Sequence, residues 1–125
     1  PFDWSTINNG CGFDVIIGNP PYVNTEGMHA LLPSAEVEIY KKKYKTSHKQ
    51  FDKYFIFIEQ AINKINENGL VCYIVPNKFF KIGAGEKLRN LIAKERMLVS
   101  LDDFGDAQLF EDKNSWLGLA LKGLI

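Results

Sequence analysis

The sequence has 125 residues, 46% of them hydrophobic, which suits one globular domain with a core of its own. Fifteen basic and fifteen acidic side chains leave no formal net charge. The whole chain therefore advertises no polyanionic partner, and a nucleic-acid surface would have to be a local patch. No apolar run approaches the ~20 residues that span a bilayer, and no basic-then-apolar leader opens the chain, which argues against a membrane partner. Cys11 and Cys72 lie far apart without metal-type spacing, so they read as free thiols of a reducing cytoplasm and no metal site is expected. The chain opens on Pro1 and closes at Ile125 directly after an apolar stretch, and so reads as a piece of a longer polypeptide.

Phe13 to Gly18 contains Val15, Ile16 and Ile17 in succession, which predicts a short strand buried on both faces, as in a parallel sheet. Asn19-Pro20-Pro21 stops it, because proline cannot continue a central strand. From about residue 23 to 50 no period holds. This stretch reads as a loop insertion in a single domain spanning 1–125, with a short helix near Ser34 to Tyr44. It carries a basic cluster of Lys41, Lys42, Lys43, Lys45, His48 and Lys49.

Phe51 to Asn66 is the clearest helix, with Phe51, Phe55, Ile58, Ile62 and Ile65 stacked on one face and Asn68-Gly69 expected as a left-handed stop. Leu70 to Val75 predicts a second strand, ended by Pro76. A second helix is expected over Gly85 to Glu95, with Leu88, Leu91 and Ile92 inward. Strands follow at Met97 to Phe104 and Trp116 to Leu121, with a hairpin turn at Asp112-Lys113-Asn114. The alternation predicts an α/β fold with a mostly parallel sheet and one antiparallel strand near the C-terminus. Ligands on such sheets bind beyond the carboxyl ends of the strands, where Asn19 and Asn77 are expected as neighbours.

The segment Asn19-Pro20-Pro21-Tyr22 suits one chemical task. An exocyclic amine conjugated to an aromatic ring or a carbonyl is a poor nucleophile, because its lone pair is delocalised. Two fixed hydrogen-bond acceptors can draw its nitrogen toward tetrahedral geometry and aim the lone pair at a methyl donor. The Asn19 side-chain oxygen and the Pro20 carbonyl are candidates. Pro20 and Pro21 stiffen the loop and remove backbone donors that would repel an incoming N–H. Tyr22 offers a flat face on which a planar substrate can stack. No ionisable residue falls inside the motif, and none is needed if the proton leaves after transfer, when the amine is cationic.

The run Asp14 to Val23 resembles the catalytic motif of S-adenosylmethionine-dependent amino-methyltransferases. Those include adenine-N6 DNA methyltransferases, RNA-base methyltransferases and enzymes that methylate a glutamine of release factors. The segment Phe51 to Glu67, followed by Gly69 to Phe80 with its Val75-Pro76-Asn77 close, resembles bacterial restriction–modification methyltransferases, as does Phe2-Asp3-Trp4.

The resemblance implies half of a Rossmann-like methyltransferase sheet, as the C-terminal part of a catalytic domain. It implies double-stranded DNA as partner and a flipped adenine as substrate. It implies a cytoplasmic enzyme of bacterial or archaeal origin. By position, Asn19, Pro20, Pro21 and Tyr22 are catalytic, Tyr22 stacks on the base, and Phe110 is the candidate second wall. Asp52 and Tyr54 fall where the family lines its pocket, although Asp52 also reads as a plain helix cap. Lys41, Lys42, Lys43, Lys45 and Lys49 are candidates for phosphate contacts.

The cofactor implied is S-adenosylmethionine. Its glycine-rich turn and following acidic residue belong upstream of Asn19, where only eighteen residues stand. Gly10-Cys11-Gly12 is not followed by a helix, and Gly83-Ala84-Gly85-Glu86 reads as a helix entry. The chain alone is therefore expected to be inactive. An RNA-base or release-factor glutamine methyltransferase shares the motif, and a non-catalytic binding fragment fits the missing donor site. An open sheet edge at the first strand would favour self-association.

Overall fold

The computed structural model describes residues 3–111 and 115–123. Four strands form its sheet: β1 (Phe13–Gly18), β2 (Ile65–Pro76), β3 (Leu98–Asp103) and β4 (Trp116–Lys122). Between β1 and β2 lie α1 (Thr25–Leu31), α2 (Ser34–Lys43) and α3 (Lys53–Lys64), and α4 (Glu86–Lys94) precedes β3. The strand order is β1-β2-β4-β3. β1 and β2 are parallel, and β4 is antiparallel to both β2 and β3. Three strands thus share one direction and β4 alone opposes them, in keeping with the α/β methyltransferase-type sheet expected from sequence.

The core occupies one face of this sheet. Val71 and Val75 of β2 and Leu117, Leu119 and Leu121 of β4 point to the same side at the period of two that a strand imposes. Phe55 and Ile58 of α3 and Leu88 and Ile92 of α4 pack against them. The opposite face carries Ile17, Cys72, Ile74, Ser100, Asp102, Gly118 and Ala120 along an open hollow.

Three expectations need correction. First, β1 is not buried on both faces: Val15 is 60% and Ile17 78% exposed. Among the described residues it is an edge strand, paired only with β2, and only its Ile16 reaches the core. Three β-branched residues in a row do not distinguish a buried strand from the edge of a sheet with one bare face. Second, Asn68-Gly69 does not end the helix. α3 stops at Ile65, which turns extended at φ −80°, and β2 begins there. Phe13 pairs with Ile65 and Val15 with Leu70, so Asn66 to Gly69 bulge opposite Asp14. The Asn66 amide donates to the Asp14 carboxylate, and the Asn66 side-chain oxygen accepts from the Asn68 N–H at 3.0 Å. Glycine is required at 69 by close approach, since a Cβ there would lie 2.5 Å from Ile65 Cγ1 and 2.7 Å from the Phe13 carbonyl oxygen. Third, residues 23–50 hold two helices. α2 stands where the short helix was expected, and α1 precedes it, capped by the Asn24 side chain accepting from Gly27 N–H at 2.8 Å. The expected turn at Asp112-Lys113-Asn114 lies outside the described residues.

Candidate active site

The loop Asn19 to Tyr22 leaves the carboxyl end of β1, and Asn77 follows the carboxyl end of its parallel neighbour β2. Both segments reach the edge where α/β sheets bind ligands. Pro20 is buried, while Asn19, Pro21 and Tyr22 are exposed. Pro20 anchors the loop and leaves the polar and aromatic groups toward solvent.

The far end of the loop is pinned to α3. Lys53 N–H donates to the Val23 carbonyl at 2.8 Å, Asn24 and Asp52 form an isolated bridge, and the Thr25 hydroxyl donates to the Phe51 carbonyl at 2.8 Å. Asp52 caps α3 by accepting from Tyr54 N–H at 3.4 Å, so the cap reading is correct. The same carboxylate lies 3.8 Å from the Lys78 ammonium, in the turn after β2. Burial pushes the Asp52 carboxyl above its ordinary value, and the Lys78 charge and backbone N–H groups partly offset that rise. Tyr54 is fully buried in the first turn of α3, and burial, reinforced by the Asp52 charge, pushes its phenol far up. Asp52 therefore joins the loop after β1, the start of α3 and the turn after β2 at one point.

Trp116, which sequence reasoning passed over, connects the two candidate base-binding rings. Its ring centroid lies 5.0 Å from that of Tyr22 at 83°, and 4.7 Å from that of Phe110 at 67°. Trp116 is fully buried, Tyr22 is 38% exposed and Phe110 40% exposed. An edge contact covers at most one face of a ring, so Tyr22 and Phe110 each keep a face that Trp116 does not cover. The available signal was positional: Trp116 opens β4 directly opposite Pro76, at the end of the Val75-Pro76-Asn77 segment.

The basic cluster divides. Glu59, buried on α3, accepts from the backbone N–H of Lys45 at 3.2 Å and of Thr46 at 2.9 Å. That mooring lies six residues beyond Lys53, roughly 9 Å down the helix from the loop. Lys41 pairs with Glu38 at 3.5 Å, and the Lys43 ammonium lies 5.4 Å from the Tyr44 ring centroid. Lys42 is exposed on the last turn of α2. Lys49 extends elsewhere, toward Gly83 in the segment between Asn77 and α4.

Two glycine segments have local structural roles. Gly12, at φ +91°, leads into β1, and a Cβ there would lie 2.5 Å from the Lys64 carbonyl oxygen, so it serves close packing. The turn at Gly83–Gly85 is closed on itself by Arg89, which donates to the Phe79 and Ile82 carbonyls.

The profile of the Eco57I restriction-modification methylases matches residues 1–110. The chain belongs to the Eco57I restriction-modification methylase family. Within it, the chain is 47% identical over 116 residues to the type II restriction enzyme and methyltransferase RM.Eco57I of Escherichia coli, across 93% of this chain and 11% of that protein. It is 32% identical over 98 residues to the type II methyltransferase M.PaeR7I of Pseudomonas aeruginosa, across 78% of this chain and 16% of that one. This family member thus spans about a tenth to a sixth of the length of these relatives.

Its fold is similar to that of a Listeria monocytogenes protein assigned as a class I S-adenosylmethionine-dependent methyltransferase, with a TM-score of 0.66 at 19% identity, over 91% of this chain and 32% of that one. It is also similar to the type ISP restriction-modification enzyme LlaGI, solved with a DNA substrate mimic, with a TM-score of 0.64 at 16% identity, over 90% of this chain and 13% of that one.

Proposed function

We propose that this chain is the base-binding part of an adenine-N6 DNA methyltransferase of a restriction–modification system. The observation that carries the reading is the convergence of Tyr22 and Phe110 on Trp116, beside Asn19, beyond the carboxyl ends of β1 and β2. Two half-exposed rings that meet one buried indole suit a planar base extruded from a duplex, with stacking worth roughly 1–3 kcal/mol. Extrusion is needed because the adenine amine is engaged in pairing within the helix.

The Asn19 side-chain oxygen and the Pro20 carbonyl accept the two N–H bonds of the adenine amine. They localise its lone pair and orient it. Pro21 holds the loop extended, and Tyr22 stacks on the base. S-adenosylmethionine supplies an electrophilic methyl group, and residues outside the site described here hold it. The proton leaves the cationic product amine to solvent, so no side chain of the motif need act as a base. Of the lysine candidates, Lys49 meets the phosphates most directly, and Lys41, Lys42, Lys43 and Lys45 contribute less.

The test uses the longer protein that carries this segment, with S-adenosylmethionine and duplex DNA. Mass spectrometry of the digested DNA is expected to find N6-methyladenine. Asn19→Ala should lower kcat by about 10²- to 10³-fold, as loss of one fixed polar group does at comparable sites. The 125-residue chain alone is expected to show no turnover. Methylation of RNA bases or of a release-factor glutamine, with DNA inert, would overturn the reading.

A further inference from the structure

Trp116 is fully buried, yet it stands apart from the hydrophobic cluster that holds the chain's other large buried side chains. Its ring meets that of Tyr22, on the loop after β1, and that of Phe110, in the segment before β4. Its backbone is fixed from both sides. It pairs with Pro76 across the β2–β4 ladder, and its carbonyl accepts from Phe104 N–H at 3.0 Å. The preceding residue, Ser115, accepts from Asn77 N–H at 2.9 Å. A fully buried indole at a sheet junction thus meets two half-exposed rings carried by irregular segments.

We infer that Trp116 is a positioning residue, which sets the spacing and tilt of Tyr22 and Phe110 so that a planar base fits between them. The inference rests on the base-binding reading above. Its physical basis is the edge-to-face preference of aromatic pairs: an aromatic partner fixes the orientation of each ring, whereas an aliphatic side chain only fills volume. A gap wrong by about 1 Å can lower turnover by about 100-fold, because the amine then misses its attack geometry.

The experiment compares Trp116→Phe with Trp116→Leu in the longer methyltransferase. Both variants remove volume, and only Phe keeps a ring. Thermal unfolding, kcat and KM for duplex DNA, and the fluorescence change of 2-aminopurine at the target position are measured. Trp116→Leu is expected to lower kcat by about 10- to 100-fold and to abolish the fluorescence change, with KM for DNA changed less than about threefold. Trp116→Phe should recover most of both signals at a similar melting temperature.

Equal losses in the two variants, in step with their melting temperatures, would make Trp116 a core residue and overturn the inference. So would wild-type kcat and fluorescence in Trp116→Leu. If Trp116→Leu does not fold, the cycle of Tyr22→Leu and Trp116→Met, which also lacks a ring, decides. Coupled losses support positioning, and independent, multiplicative losses exclude it. The wild-type control reads the underlying proposal separately: no methylation and no fluorescence change with any duplex would sink the DNA reading itself.

Discussion

The Asp52 carboxylate caps α3 and faces the Lys78 ammonium while almost wholly buried. Burial, the larger influence, raises its pKa above the ordinary 3.8. A carboxyl whose folded pKa lies above its unfolded value adds stability below the unfolded pKa and loses it as pH rises through the folded one. Asp52→Asn keeps the cap and removes the titration. The stability of the wild type relative to Asp52→Asn is therefore expected to be greatest below pH ~4, to fall as pH rises through the raised pKa, and then to level off. Urea unfolding over a pH series measures it, and a difference that grows with pH would show that the attraction to Lys78 outweighs burial. The capping role was readable from Asp52 standing before a periodic apolar run. Its link to Lys78 was not, because only the packing of the β2 turn against α3 brings the two together.

Among the elements, β1 departs furthest from its sequence. Val15 and Ile17 read as buried and are bare, on a strand whose outer edge has no partner among the described residues. Such an edge presents unpaired N–H and C=O groups beside apolar side chains and invites pairing with another strand. The isolated chain is expected to self-associate through it. In sedimentation, the weight-average mass should rise with concentration, and Ile17→Lys should return it to the monomer value. A monomer at every concentration would exclude this edge as a contact. α3 and α4 were readable almost to their ends because their apolar spacing matches 3.6 residues per turn. The junction of α3 with β2 was misread because Asn68-Gly69 mimics a helix stop, whereas the bulge opposite Asp14 requires pairing information that lies fifty residues away in the chain.

At the scale of the molecule, lysines that are neighbours in sequence separate in space. Lys45 is moored by Glu59 partway down α3, while Lys49 extends toward the segment after β2 that borders the candidate site. Lys49 is therefore the member of the cluster nearest the route of a target strand. Lys49→Gln in the longer protein is expected to reduce the slope of log K against log[salt] for duplex binding by about 0.9, the effect of one phosphate contact. Replacing Lys41, Lys42 and Lys43 together by glutamine should change it less. An unaltered slope in Lys49→Gln would remove that lysine from the interface. Formal neutrality of the chain hides this arrangement, because composition averages over all faces.

Local chemistry by itself determined the alternation of strands and helices, the exit of β1 into Asn19-Pro20-Pro21-Tyr22, and the kinship with restriction–modification methyltransferases. Those features depend on residues within a few positions of one another, where proline geometry and side-chain period act directly. Tertiary structure alone decided that Tyr22 and Phe110, 88 positions apart, share Trp116, and that Asp52 reaches Lys78. It also decided which face of the sheet stays bare. Each of these depends on the order β1-β2-β4-β3, in which β4 inserts between β2 and β3 and carries the indole to the exit of β1. Strand order is set by the summed packing of the whole sheet, so no local segment of the sequence encodes it.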